Sequence, residues 1–298
     1  MQSVPDDDKA NAFDSLLSAL PSKAALRDAD IQMLRHAFYE ESVIERRQAA
    51  AIFHANRVMQ TDHNGWNTFY LEALTDVFLT PGHEGYVVDA GAEAMLLTWL
   101  GDGVTIPNPG ERQLTLRLLM RAANEPDALE QRVLQAVSEN LLHESQCWIG
   151  GGNRSPGVIG ATDIQLIRRL VYRSGNAQGR AIRKAVIPFL LRLDRQAASF
   201  ADPDEWRQFL TACLAQQFCQ GLPADLDPLQ LSRRSFSAEM RALLNVDRTP
   251  EDATSLMAHI LSEARHMIAT GCQELVAPEP DATLRSAQQR RTGSSPCV

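Results

Sequence analysis

Asp30-Ile31-Gln32-Met33-Leu34-Arg35-His36-Ala37-Phe38-Tyr39 and Asp163-Ile164-Gln165-Leu166-Ile167-Arg168-Arg169-Leu170-Val171-Tyr172 align without a gap, 133 residues apart. Asp, Ile, Gln, Arg and Tyr recur in place, and apolar residues at spacings of three and four mark one side of a helix. A second block follows. Trp66, Phe69, Leu74 and Phe78 match Trp206, Phe209, Leu214 and Phe218, now 140 residues apart, so the later copy carries seven extra residues between the blocks. The chain has only four tryptophans, and two of them fall at equivalent places. The pattern predicts a duplicated helical unit with the matched Trp and Phe as core residues. Tyr39 and Tyr172 end the first helix of each copy, where a ring packs and a hydroxyl reaches solvent or a carbonyl.

Outward from these blocks the helical period continues through Ala49–Met59, Ala92–Leu100, Leu114–Ala122, Leu129–Leu142, Ile182–Leu193 and Leu256–Ile268. Pro188 is expected to kink or interrupt the helix it falls in. Asp30 and Asp163 suit helix caps, Pro203-Asp204-Glu205 a first turn, and Pro81-Gly82 a stop. No segment alternates strictly, so no sheet is expected. The predicted fold is all-α: repeated helical-hairpin or three-helix units forming a two-lobed bundle. Residues 1–29 form a segment with one short helix. Residues 30–147 form a first lobe, with a unit at 30–80 and a weaker one at 92–142. A glycine-rich linker covers 148–160. A second lobe covers 161–278, with the repeat at 163–219 and a C-terminal helix at 250–270, and 279–298 is a disordered tail. Such units bury their apolar faces only against each other or a partner.

Composition narrows the function. Twenty-nine basic against 37 acidic residues leave a formal charge of −8, which argues against general nucleic-acid binding. No apolar run reaches the roughly 18–20 residues of a membrane span, and the start lacks the basic-then-apolar order of a signal peptide. Five cysteines without a CxxC pair point to a reduced, cytoplasmic chain. Gly150-Gly151-Gly152 has neither the preceding strand nor the GK[ST] ending of a phosphate loop. No GxSxG nucleophile elbow occurs.

The middle unit reads Gly101-Asp102-Gly103-Val104-Thr105-Ile106, then Glu111 at the next helix. The first reads Glu41-Ser42-Val43-Ile44, then Gln48 and Phe53. Together these resemble the helix–(A/D)DGxIxxxE–helix pattern of tellurite-resistance TerB-like proteins over the turn and flanking helices of each unit. The resemblance implies a small, often duplicated all-helical domain, a stress-response role and a divalent-metal site of acidic residues. Only the middle unit keeps the pair Asp102 and Glu111. Gln48 replaces the glutamate in the first unit, and Ser174-Gly175 followed by Asn176-Ala177-Gln178-Gly179 carries no carboxylate in the third.

Two other sets bear on chemistry. His259, Glu263 and His266 share one helix face at i, i+4 and i+7, and Glu263-Ala264-Arg265-His266 is an ExxH; di-iron bundles need two of these, and no second exists. Arg168, Arg169, Arg173, Arg180, Arg183 and Lys184 make the third unit basic, suited to an acidic partner or a solvated face. The expectation is a non-enzymatic cytosolic interaction or scaffold module without a cofactor, binding another protein or itself, with no nucleic acid and no membrane span. The alternative is a divalent-metal protein, sensing or hydrolytic, using Asp102, Glu111, His259, Glu263 and His266.

Overall fold

The computed structural model describes residues 6–20, 26–40, 46–59, 61–82, 85–124, 126–149, 152–172, 182–183, 185–220, 222, 228–246 and 248–270. These fold as an all-α protein. Twelve helices run in order: α1 Asp6–Ala19, α2 Asp28–Glu40, α3 Arg46–Met59, α4 Asn64–Phe78, α5 Ala90–Leu100, α6 Pro109–Arg121, α7 Asp127–His143, α8 Ala161–Val171, α9 Val186–Gln196, α10 Pro203–Gln220, α11 Ala238–Asn245 and α12 Pro250–Thr270. Among the described residues, no helix is long and apolar enough to cross a membrane.

Two features differ from the sequence expectation. Strands are present: β1 (Thr80–Gly82) and β2 (Gly85–Val87) pair antiparallel, and β3 (Val158–Ile159) and β4 (Ser199–Phe200) pair parallel. Runs of two or three residues are too short to display a period of two. Pro188 does not interrupt a helix. The helix begins at Val186, later than its apolar pattern, so Pro188 sits in the first turn, where its missing N–H has no intrahelical partner to lose.

The chain divides into two compact units. The first holds the described residues up to Gly160 and from Arg183 to Pro203; the second holds Ala161–Tyr172, Ile182 and the described residues from Asp204 onward. Sequence order does not decide membership, because α9 follows α8 yet packs on α7. Arg183, just before α9, holds the buried Glu130 of α7 through Nε at 2.6 Å and Nη2 at 2.5 Å.

In the first unit, α4 is the hub, packed by α2, α3 and α6. Phe38 lies between Phe13 at 5.5 Å and Phe69 at 5.7 Å, and Trp66, Phe69, Tyr70 and Phe78 are inaccessible to solvent. A polar thread crosses this core. The Trp66 indole N–H donates to Asn56 Oδ1 at 3.0 Å, and Asn56 Nδ2 donates to Asn108 Oδ1 at 3.0 Å. Asn108 also accepts from the Gly110 and Glu111 amides and so caps α6, satisfying donors that a helix start leaves open. The glycine-rich stretch is fastened to the end of α7. Arg154 donates to the Asn140 and Leu141 carbonyls, and Trp148 is buried with the Arg112 guanidinium 5.3 Å from its ring. Gly157 closes the turn at φ 74°, a left-handed value that suits glycine.

In the second unit, α8 and α10 meet through Trp206, Phe209 and Tyr172. Phe218 stacks at 4.5 Å on Phe236, which lies between a short 3-10 turn and α11. Helix α12 buries Ala253, Met257, Ile260, Leu261, Ala264 and Met267, one side at helical spacing.

Candidate functional site

Helix α2 separates its side chains cleanly. Ile31, Leu34 and Phe38 point into the first unit and are at most 2% exposed. The other face carries Gln32, Arg35, His36 and Tyr39 at i, i+3, i+4 and i+7, and these four line an open cavity of about 380 Å³. Met33 is also exposed beside them.

The groove is braced from behind by α4. Arg35 Nη1 forms a close ion pair with Glu72, and its guanidinium lies 6.0 Å from the Phe69 ring centre. One turn along, the Tyr39 hydroxyl donates to Asp76 at 2.9 Å. Glu72 and Asp76 stand at i and i+4 on α4, so one helix face anchors both residues of α2. Partial burial, then the negative charge of Asp76, hold the Tyr39 phenol far above its ordinary value, so it remains a protonated donor. From α6, Arg117 lies within electrostatic reach of Glu72, Asp76 and Tyr39. Its pKa is lowered first by burial and next by Arg121. The arrangement places a guanidinium, an imidazole, an amide and a phenol ring on one open face.

The second unit places a similar Trp–Phe pair and arginine among different neighbours. Trp206 and Phe209 lie 5.9 Å apart, as do Trp66 and Phe69, with interplanar angles of 54° and 52°. Arg168 sits 5.4 Å from the Phe209 ring centre, against 6.0 Å for Arg35 over Phe69. There the likeness ends. Ala212 and Gln216 stand at the positions aligned with Glu72 and Asp76. Arg168 instead pairs with Glu205 at 3.0 Å, and the Tyr172 hydroxyl meets Cys213 Sγ at 3.5 Å. Burial pushes the Cys213 thiol up to about 12, against a smaller lowering by Tyr172.

The residues singled out by sequence are scattered. Glu111 is 1% exposed and gripped by Arg57, with Nε at 2.5 Å from Oε1 and Nη2 at 3.1 Å from Oε2, whereas Asp102 is exposed. His259 and His266 lie exposed on α12 with Glu263 between them, and His259 Nδ1 is 2.8 Å from the Ser255 carbonyl. Among the described residues, no group of three or more His, Cys, Asp or Glu is placed to hold a metal ion. Of the basic set, Arg168 and Arg169 belong to α8 and Arg183 to the first unit, where Glu130 engages it; Arg173, Arg180 and Lys184 lie outside the described residues. So do Glu41-Ser42-Val43-Ile44, Ser174-Gly175, Asn176-Ala177-Gln178-Gly179, Gly150-Gly151 and the tail at 279–298.

In the sequence Gln32, Arg35 and Tyr39 stand out only as repeat markers, and Glu72 and Asp76 do not stand out. A signal existed: the polar i, i+3, i+4, i+7 face of α2, opposite Ile31, Leu34 and Phe38. Comparison with protein-family models, curated proteins and solved structures gave no match.

Proposed function

We propose that the chain is a non-enzymatic interaction module that docks a partner protein on the exposed face of α2. The observation that carries this reading is the open groove lined by Gln32, Arg35, His36 and Tyr39 and braced by Glu72 and Asp76. Protein docking on a helix face uses such periodic anchors. Three other carboxylates are engaged within the fold: Glu111 by Arg57, Glu130 by Arg183 and Glu144 by Arg112. The matched Trp–Phe pairs, and an arginine over each Phe, support an internal duplication in which the first copy gained the groove. Free thiols at Cys147, Cys213 and Cys219 support a reducing compartment such as the cytosol. The stress-response role implied by the TerB-like resemblance belongs to the same proposal.

The test is site-specific crosslinking in the native cell. A photoreactive side chain at Gln32 should trap one protein of fixed size, while the same group at Ser262 on α12 should not. Identical traces from the two positions would reject the reading.

A further inference from the structure

We propose that His63 is an acid-sensitive tie between α4 and α2: neutral, it caps α4; protonated, it releases that cap and pairs with Asp28. His63 directly precedes α4, with extended backbone at φ −62° and ψ 115°, and its Nδ1 accepts from the Trp66 amide at 3.3 Å. That amide belongs to the first turn, where no carbonyl of the helix can reach it, and the ring nitrogen is its one partner among the described residues. An imidazole that accepts at Nδ1 carries its proton on Nε2, and Nε2 lies 3.6 Å from Asp28 Oδ1 at the start of α2. Gly65 leaves room for this arrangement: a Cβ there would come within 3.1 Å of His63 Cε1 and 3.2 Å of Asp28 Oδ1. The His63 side chain is 25% exposed, so a proton reaches it from solvent.

Protonation reverses the role of Nδ1. An imidazolium donates from both nitrogens and accepts at neither, so two N–H groups would face each other at Trp66 and the cap is lost. A full positive charge is also unfavourable at a helix N-terminus, where the macrodipole is itself positive. Asp28 pulls the other way. Its carboxylate is the one charged group paired with His63 among the described residues. Asp62, the neighbour in the chain, is exposed and makes no ion pair with the ring, and no charged group of α3 or α6, the other helices packed on α4, engages it. The bond given up and the ion pair gained oppose one another, so the change is local: the ring turns from α4 to α2, and the first turn of α4 opens. The same α4 braces the exposed face of α2 through Glu72 and Asp76, so acid acts on one end of that brace.

The experiment follows the full chain by heteronuclear NMR at about pH 8 and about pH 5.5, on either side of the ordinary imidazole range. At the higher pH the His63 ring nitrogens should show the Nε2–H tautomer. The protection factor of the Trp66 amide should fall at least about fivefold at the lower pH, the size expected for loss of a helix cap. In His63→Asn, whose amide oxygen accepts at either pH, protection should stay within about twofold. In Asp28→Asn the fall should come at lower pH than in the parent, because the carboxylate that draws the proton is gone. An Nδ1–H tautomer at the higher pH, an equal pH response in the parent and His63→Asn, or an unmoved transition in Asp28→Asn would each overturn the inference.

Discussion

Replacing Asn56 by alanine should cost the first unit about 3 kcal/mol, summed from what the side chain satisfies. Asn56 is 5% exposed. Its oxygen is the acceptor for the Trp66 indole, and Trp66 has no solvent access, so the orphaned N–H carries a desolvation penalty of roughly 1–3 kcal/mol. Its amide donates to Asn108, a neutral hydrogen bond of about 1 kcal/mol, although Asn108 keeps its two backbone donors. The first unit should then melt roughly 6–12 °C lower in a thermal scan followed by near-ultraviolet dichroism. A double-mutant cycle isolates the thread. Trp66→Phe removes the indole donor, so the Asn56→Ala change made in that background should cost about 1–2 kcal/mol less than in the parent. Strict additivity would show that the Trp66–Asn56 bond contributes nothing and that burial alone sets the stability of this core.

Gly110→Ala should destabilise by about 1–2 kcal/mol despite the better helix propensity of alanine, because the new Cβ meets Asn56 Nδ2 at 2.9 Å and Tyr70 Cε1 at 3.3 Å; equal or higher denaturation midpoints would contradict this. Glu111→Gln should cost about 2 kcal/mol, below a fully buried pair because Arg57 is 44% exposed, and the loss should appear in urea unfolding as a lower midpoint at unchanged slope. For Cys213 the folded thiol titrates near 12 instead of the ordinary 9.0. The native state therefore keeps a proton that the unfolded chain has released, and stability should fall as pH rises from about 9 to about 12, with no effect below. The slope is at most about 1.4 kcal/mol per pH unit. Urea midpoints at pH 8, 9 and 10 should fall more steeply in the parent than in Cys213→Ala; parallel curves would refute the assignment.

The helices were legible because burial on one face forces apolar residues into the 3.6-residue period. Positions 31, 34 and 38 declare α2, and 253, 257, 260 and 264 declare α12. The strands were not, since Val158–Ile159 and Ser199–Phe200 are runs of two residues, too short to show a period of two. The start of α9 was misread because Ile182 is buried without being helical. The groove was half visible. Its α2 wall can be drawn on a helical wheel, but Glu72 and Asp76 lie 37 residues from the side chains they hold, and no local rule joins them. The candidate metal residues illustrate the converse. Glu111 looked like a ligand in one dimension and proved to be the buried counter-ion of Arg57, 54 residues away.

The interleaving of the two units has a consequence for synthesis. On the ribosome, α7 emerges with Glu130 exposed to water, and the arginine that neutralises it follows 53 residues later. In between come α8 and Tyr172, which belong to the other unit. The earlier half of the molecule therefore completes its packing only after translation has passed Pro203, and a stop codon or protease cut placed at the glycine-rich stretch would release an N-terminal fragment without α9, the helix that packs on α7.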